Sequence, residues 1–270
     1  MSAVGSWRDA LAAWRIPDEV LAGAEDSPWV LPRHVFTGRT DEQIAHPGGA
    51  SFTAAHSALV PPGSVLDIGA GAGAASLPLA DRATEITAVD TDQQLLAEFR
   101  RRAEPRNVAA RTVVGQWPDV ADQVEPVDVV LCHHVVFNVA ELGPFVEALT
   151  AHARRLVVVE LTERHPLTAL NPLWRHLHGI ERPTGPTYAD AVAVLAELGI
   201  HPDVVRWRRP PRAEHPDFTT LLDITRRRLC LPRSRTDDVA AALAELGYDR
   251  GTTPDLGSSG DDVVTVTWRP

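Results

Sequence analysis

Val65-Leu66-Asp67-Ile68-Gly69-Ala70-Gly71-Ala72-Gly73-Ala74-Ala75-Ser76 is the stretch on which the reading of this chain turns. Ser64 to Ile68 has the composition of a buried strand, and it runs straight into a glycine-rich turn. Glycine suits such a turn because the backbone must bend sharply and a ligand must come close; a Cβ blocks one or both. The small residues that follow predict a helix over about 74–82. Its first N–H groups and its dipole would favour negative or electron-rich ligand groups. The segment reads as a nucleotide-type binding loop, the first βα turn of a doubly wound sheet. Gly69, Gly71 and Ala74 fit the G-x-G-x-x-G/A dinucleotide pattern, which alone leaves the nucleotide open.

Asp67, two residues before the first glycine, and a third glycine at Gly73 narrow the choice. Asp67-Ile68-Gly69-Ala70-Gly71-Ala72-Gly73 resembles the first motif of the class I S-adenosylmethionine (SAM) dependent methyltransferases, acidic-x-Gly-x-Gly-x-Gly. An amino-acid cofactor brings an ammonium group that a carboxylate at the strand end suits, whereas a pyrophosphate would be repelled there. Glu85-Ile86-Thr87-Ala88-Val89-Asp90 reads as the second strand, with its terminal carboxylate placed to accept hydrogen bonds from both ribose hydroxyls. NAD proteins share that carboxylate, so Asp90 points to a ribose in either class. Asp90-Thr91-Asp92 also has the composition of a helix cap. The resemblance implies an α/β fold: a doubly wound, mostly parallel seven-stranded sheet of order 3-2-1-4-5-7-6, with SAM as cofactor. It implies cofactor contacts from Asp67, Gly69, Ala70, Gly71, Gly73, Asp90, Thr91, Gln116, Trp117 and His133. A carboxylate is common at the Gln116 position in the family; Gln116 can still hydrogen-bond the adenine amine, and Trp117 can stack on the ring or cover the sheet edge.

Composition excludes several other classes. The chain has 270 residues and a formal net charge of −10, so attraction to a phosphate backbone is not built into its overall field. All 26 basic residues are arginine. Without lysine there is no P-loop, no Schiff base and no Tyr-x-x-x-Lys pair of short-chain dehydrogenases. No G-x-S-x-G elbow is present. Two cysteines, Cys132 and Cys230, far apart, argue against a disulfide scaffold and fit a reducing, cytoplasmic setting. The first residues lack a signal-peptide core, and no run approaches the roughly 18 apolar residues that span a membrane.

From the N-terminus, Ser6 is placed to cap a short helix with Trp7, Leu11 and Trp14 on one face, and Pro17 to open a second. A loop-rich stretch with Trp29 and Phe36 is expected up to Pro47-Gly48-Gly49, then a helix over 51–60. Residues 1–60 thus form a helical extension that either packs on the sheet or covers the substrate as a lid. Residues 61–270 form the binding domain, with strands over 64–68, 85–90, 109–115, 127–133 and 155–161. Helices lie between them, and Thr91 with Gln94 resembles a capping box. Helical insertions are expected at about 163–200 and 212–250, flanking a sixth strand over 204–208. The seventh, 263–268, is antiparallel by resemblance.

Ligands of such sheets lie beyond the carboxyl ends of the strands. There, Cys132-His133-His134 ends the fourth strand and Glu160 the fifth. By resemblance, His133 stands where relatives that methylate DNA or glutamine carry Asn/Asp-Pro-Pro-Tyr; that motif is absent, so base or glutamine methylation is not expected. A histidine there can take a proton from a hydroxyl, phenol or amine. Strand alternation puts His133 and His134 on opposite faces, which favours His133 with His134 second. Glu160 can serve as a second base, a substrate anchor or the partner of a histidine. His165, His176 and His178 do not share a helix face, so no metal site is expected. Arg226-Arg227-Arg228 reads as a solvated helix face or an anion contact.

These features predict a SAM-dependent methyltransferase that moves the sulfonium methyl by in-line displacement to an O or N of a small, partly apolar acceptor. No nucleic-acid or membrane partner is expected. Three alternatives stand beside it: an NAD(P)-dependent oxidoreductase, an RNA or protein methyltransferase, and a non-catalytic SAM-binding module.

Overall fold

The valine- and isoleucine-rich runs become strands because both of their faces can be covered. Val65, Leu66, Val129, Val130, Leu131, Val157 and Val158 are all fully buried. The computed structural model describes residues 2–210, 215, 217–248, 256 and 260–270. The parts of the expected second insertion at 212–214, 216 and 249–250 lie outside the described residues. Seven strands form one sheet: β1 Gly63–Ile68, β2 Ala83–Asp90, β3 Ala109–Val114, β4 Val127–His133, β5 Ala153–Thr162, β6 Asp203–Arg208 and β7 Asp262–Trp268. Their order is β3-β2-β1-β4-β5-β7-β6, with β7 antiparallel to both β5 and β6.

Ten helices surround the sheet among the described residues: α1 Ala3–Ala12, α2 Asp18–Leu21, α3 Arg33–Ala45, α4 Gly49–Ala58, α5 Gln93–Ala103, α6 Leu142–Ala151, α7 Asn171–His178, α8 Tyr188–Glu197, α9 Phe218–Arg228 and α10 Thr236–Glu245. Trp7 of α1, Phe145 of α6 and Val194 of α8 pack on one face of the sheet. Ala55 of α4 and Phe99 of α5 pack on the other. A separate apolar cluster joins Ile16 with Trp174 of α7, Leu221 of α9 and Leu243 of α10.

Several sequence expectations are corrected. No α-helix follows β1: residues 71–76 run through turns, then a 3-10 turn at Leu77–Leu79 that contains Pro78, which has no N–H to give a helix. The expected loop before Pro47 holds the thirteen-residue α3. Ser2, not Ser6, caps α1, accepting from Gly5 N at 3.0 Å. Asp92 replaces the Thr91/Gln94 box on α5, accepting from the backbone N of both Gln94 and Leu95. Thr187 caps α8, in a capping box with Asp190.

Candidate active site

The cleft opens where the chain leaves the carboxyl ends of β1, β2, β4 and β5. It encloses about 1440 Å³. That exceeds the roughly 300–1,000 Å³ usual for one small-molecule pocket, so there is room for a cofactor and an acceptor side by side. One half is floored by the loop after β1, with Asp90, Thr91, Gln116 and Trp117 around it. The other half is walled by Trp14, Phe137, His165, Leu167 and Trp207, and Phe36 stands beside Gly71 of the loop. His133, His134 and Glu160 stand at the seam.

The glycines of the loop have different reasons to be there. Gly69 has φ +69°, and a Cβ on it would meet Val135 Cγ2 at 2.3 Å. Gly71 has φ +54°, yet a Cβ there would find nothing nearer than Phe36 at 3.8 Å. Gly71 is thus where a ligand can approach bare backbone. Gly73 does not line the cleft; a Cβ there would strike Leu77 and Phe99, so its role is packing.

Asp90 shapes this loop directly. Its Oδ2 accepts from Gly71 N at 2.8 Å and its Oδ1 from Asp92 N at 2.8 Å. Asp67 works from beneath. It is 1% exposed and accepts from Ser76 Oγ at 2.6 Å, which closes the loop across its base. Burial pushes its carboxyl up to about 7 against the Ser76 hydrogen bond, and the charge of Asp90 adds to the rise. Asp67 also lines the cleft, at the base of the loop.

At the end of β4, alternation fails. His134 takes φ +59°, and its N–H donates to Glu160 O at 2.7 Å. This left-handed step turns the chain so that both histidines line one cleft, where the strand rule separates them. His133 pairs in register with Glu160 across the strands. Its Nε2 is buried without a hydrogen-bond partner. His134 Nε2 lies 3.0 Å from Glu160 Oε1.

Arg209 completes the group. It follows β6, with its N–H donating to Asp261 O at 2.8 Å, and it is 7% exposed. Its Nη2 stands 2.7 Å from Glu160 Oε1 and 3.0 Å from His134 Nε2. Burial alone would raise Glu160, but the facing histidines and Arg209 hold it well below the usual carboxylate range. Burial lowers His133, and it pushes His134 down to about 4 against the pull of Glu160. The charge state is an ionised Glu160 paired with Arg209, beside two neutral histidines. Sequence reading missed Arg209; in the run Arg206-Trp207-Arg208-Arg209-Pro210, nothing separates it from its solvated neighbours.

The remaining candidates separate. His165 is stacked on Trp14 at 4.1 Å, His178 Nε2 lies 2.7 Å from Leu229 O, and His176 faces Glu245 at 3.8 Å. Arg226 corrects the solvated-face reading: it is 1% exposed and binds Asp26 at 2.7 Å, Asp223 at 2.9 Å and Leu231 O at 2.7 Å. Arg227 donates to Ser27 O and Val30 O, so these arginines tie the N-terminal segment to α9.

A seven-stranded sheet of this order, with a ribose-type carboxylate and a glycine loop at its switch point, defines a class I methyltransferase fold. Residues 65–158 match a family model described as a methyltransferase domain. No curated protein matches the sequence. Among solved structures, a SAM-dependent methyltransferase from Geobacter sulfurreducens in complex with S-adenosyl-L-homocysteine is 19% identical, covering 89% of this chain and 99% of that chain, TM-score 0.49. Magnesium protoporphyrin IX methyltransferase from Synechocystis with bound SAH is 20% identical, covering 66% of this chain and 78% of that chain, TM-score 0.47. Residues 65–158 carry a methyltransferase domain, and the sheet order around it is that of the class I fold; both favour SAM-dependent methyl transfer over the nicotinamide reading. The cleft fits SAM: Gly71 is open above its Cα, Asp90 stands at the end of β2, and Trp117 Nε1 is a buried donor without a partner on the cleft wall.

Proposed function

We propose that the enzyme methylates an O or N of a small, partly apolar acceptor, with His134 as general base and Glu160 as its partner. The observation that carries this reading is the seam of the cleft, where His134 lies 3.0 Å from the Glu160 carboxylate in a cleft also lined by Trp14, Phe137 and Trp207. In this reading Asp67, Gly69, Ala70, Gly71, Gly73, Asp90, Thr91, Gln116, Trp117 and His133 form the cofactor half, by contact or by shaping it. SAM, when bound, supplies a methyl group already activated for displacement by its sulfonium. What this chain adds is placement and proton handling. Holding two reactants in line is worth up to roughly 7–11 kcal/mol in well-oriented systems.

Residues 1–60 act as the lid. Trp14 is fixed by its Nε1 donating to Gly185 O at 2.6 Å, and Arg182 donates to Trp14 O and to Arg15 O, so this wall is anchored to the 163–200 insertion. Geometry favours His134 over His133 as the base: its ring lies 3.0 Å from Glu160 Oε1, a carboxylate that steadies the imidazolium formed when the ring takes a proton. His133, with an unpartnered Nε2, is a polar contact for cofactor or acceptor. Feeding methyl-labelled SAM together with fractionated host extract tests the reading. Label in small molecules supports it; label in RNA or protein overturns the acceptor class; no label despite measured SAM binding favours a non-catalytic module.

A further inference from the structure

We infer that Trp29 is the stacking platform of the acceptor site and that the acceptor carries a planar aromatic group. The inference rests on the acceptor half proposed above. The chain has seven tryptophans, and the rings of six are engaged within the protein. Trp7, Trp14, Trp207 and Trp268 donate their ring N–H to protein oxygens. Trp117 meets His152 edge-on at 4.8 Å, and Trp174 stacks on His178 at 4.8 Å. Trp14 is engaged further, with His165 stacked on it at 4.1 Å and Arg182 over its ring at 5.7 Å. Trp29 is the exception. Among the described residues it hydrogen-bonds only through its backbone N–H, to Ser27 Oγ at 3.4 Å, and its ring stacks on no other ring. Yet that ring lines the cleft and is 51% exposed.

The backbone that carries the ring is held. Pro28 is buried. Arg227 of α9 donates to Ser27 O at 3.3 Å and to Val30 O at 3.2 Å, on either side of Trp29, and Arg226 binds Asp26 at 2.7 Å. A large apolar ring is thus presented to the cleft from a fixed backbone, so little ordering remains to be done on binding. Its side of the cleft is the acceptor side. The next residue of α9, Arg228, lines the cleft close enough to act on the charge of His165. The same arginines narrow the chemistry. An indole face attracts either a flat ring or a cation. With Arg227 bonded to the backbone on both sides of Trp29, a cation there is repelled. The occupant left is a neutral or anionic aromatic group, on the molecule whose O or N takes the methyl.

The test titrates 2-naphthol and its saturated analogue, decahydro-2-naphthol, into the full-length protein filled with S-adenosylhomocysteine, and reads binding by calorimetry. The wild type should bind 2-naphthol about three- to ten-fold more tightly than the saturated probe. Trp29→Ala should remove most of that preference, and Trp29→Phe should restore it. Circular dichroism and S-adenosylhomocysteine affinity, measured on the same samples, should match the wild type. Equal binding of the two probes, no binding of 2-naphthol, or a preference that survives Trp29→Ala overturns the inference. A Trp29→Ala protein that loses S-adenosylhomocysteine affinity instead places the ring in the cofactor half and also overturns it. For a Trp29→Ala protein that does not fold, quenching of Trp29 fluorescence by 2-naphthol, taken as wild type minus Trp29→Phe, decides the matter. Label transfer from SAM to host extract separates the two readings. If Trp29 sets the naphthol preference while no small molecule takes label, the transfer reading falls and the aromatic site stands. If label enters a small molecule without near-ultraviolet absorption, the aromatic inference falls and the transfer reading survives.

Discussion

The two halves proposed for the cleft, one for cofactor and one for acceptor, are built on opposite plans. The cofactor half comes from one continuous run, β1 through β5, in which each strand hands its carboxyl end to the next loop. Its polar contacts there are short in sequence: Asp67 with Ser76, Asp90 with Gly71, Asp92 with Leu95. The acceptor half is assembled from pieces far apart in the chain. Trp14 is held by Gly185, Asp26 by Arg226, and Glu160 by Arg209, with its own apolar cluster uniting Ile16, α7, α9 and α10. A local half can be conserved in shape while a non-local half is rebuilt around another acceptor. In this plan, cofactor binding and acceptor recognition are separable, and each of the following measurements presses on that separation.

The seam should show it most. His134→Ala removes the proposed base and leaves the loop after β1 untouched. Turnover should fall by about 10²–10⁴-fold. SAM affinity, read by calorimetry, should stay within a few-fold. Equal losses of turnover and affinity would mean that the seam belongs to the cofactor half.

The tie between α9 and the N-terminal segment comes next. Arg226→Met leaves Asp26 and Asp223 without their buried cation, and removing one partner of a buried pair costs roughly 3–5 kcal/mol. Because Asp26 and Asp223 are exposed enough for water to screen the charges left behind, the loss should fall below that range. Hydrogen exchange should rise in α9, α10 and the 20–30 segment while β1 to β5 stay protected. Uniform loss of protection would show a single cooperative unit.

Asp90→Ala probes the local half in the same way. It deletes a carboxylate that orders two backbone amides and, in the proposed site, meets the ribose. SAM binding should weaken by about 2 kcal/mol, in the range of hydrogen bonds to charged groups. Exchange in α9 and α10 should not change. Unaltered SAM affinity would remove Asp90 from the site.

The same contrast explains what the sequence allowed to be read. The strands were legible from their periodicity, and the sheet order and the cofactor from the resemblance carried by the seven-residue motif Asp67–Gly73 and by Asp90 at the end of the second strand. Every side chain assigned to the cofactor half, except the packing residue Gly73, does line the cleft. The 3-10 turn after β1 was not legible from small residues that would equally serve a helix; Pro78 was the only sign. Nor was Arg209, because one arginine among 26 acquires meaning only when β6 pairs with β7 and carries it to Glu160. His134 was ranked second by strand alternation, a rule that holds inside strands and stops at the left-handed residue that ends β4.

The smallest effect concerns Asp67 and the pH dependence of the local half. Its carboxyl sits near 7 in the fold, against an ordinary value of 3.8. A raised group binds more protons folded than unfolded, so its contribution to stability is complete below the ordinary value and is lost as pH rises through about 7. His134 and His165, both held near 4 by burial, run the other way. Unfolded imidazoles take up protons first, so their contribution falls as pH drops below about 6.5 and is gone below about 4. Asp67→Asn keeps an oxygen for Ser76 and cannot ionise. The stability difference between wild type and Asp67→Asn should therefore shift by about 1.4 kcal/mol between roughly pH 6 and 8, to the wild type's disadvantage as pH rises. The window from about pH 4 to 6, where the histidines dominate the slope, should keep its rise with pH in both proteins. Parallel denaturant curves across the upper window would mean that Asp67 is ionised throughout, and that the loop carries its charge through Ser76 alone.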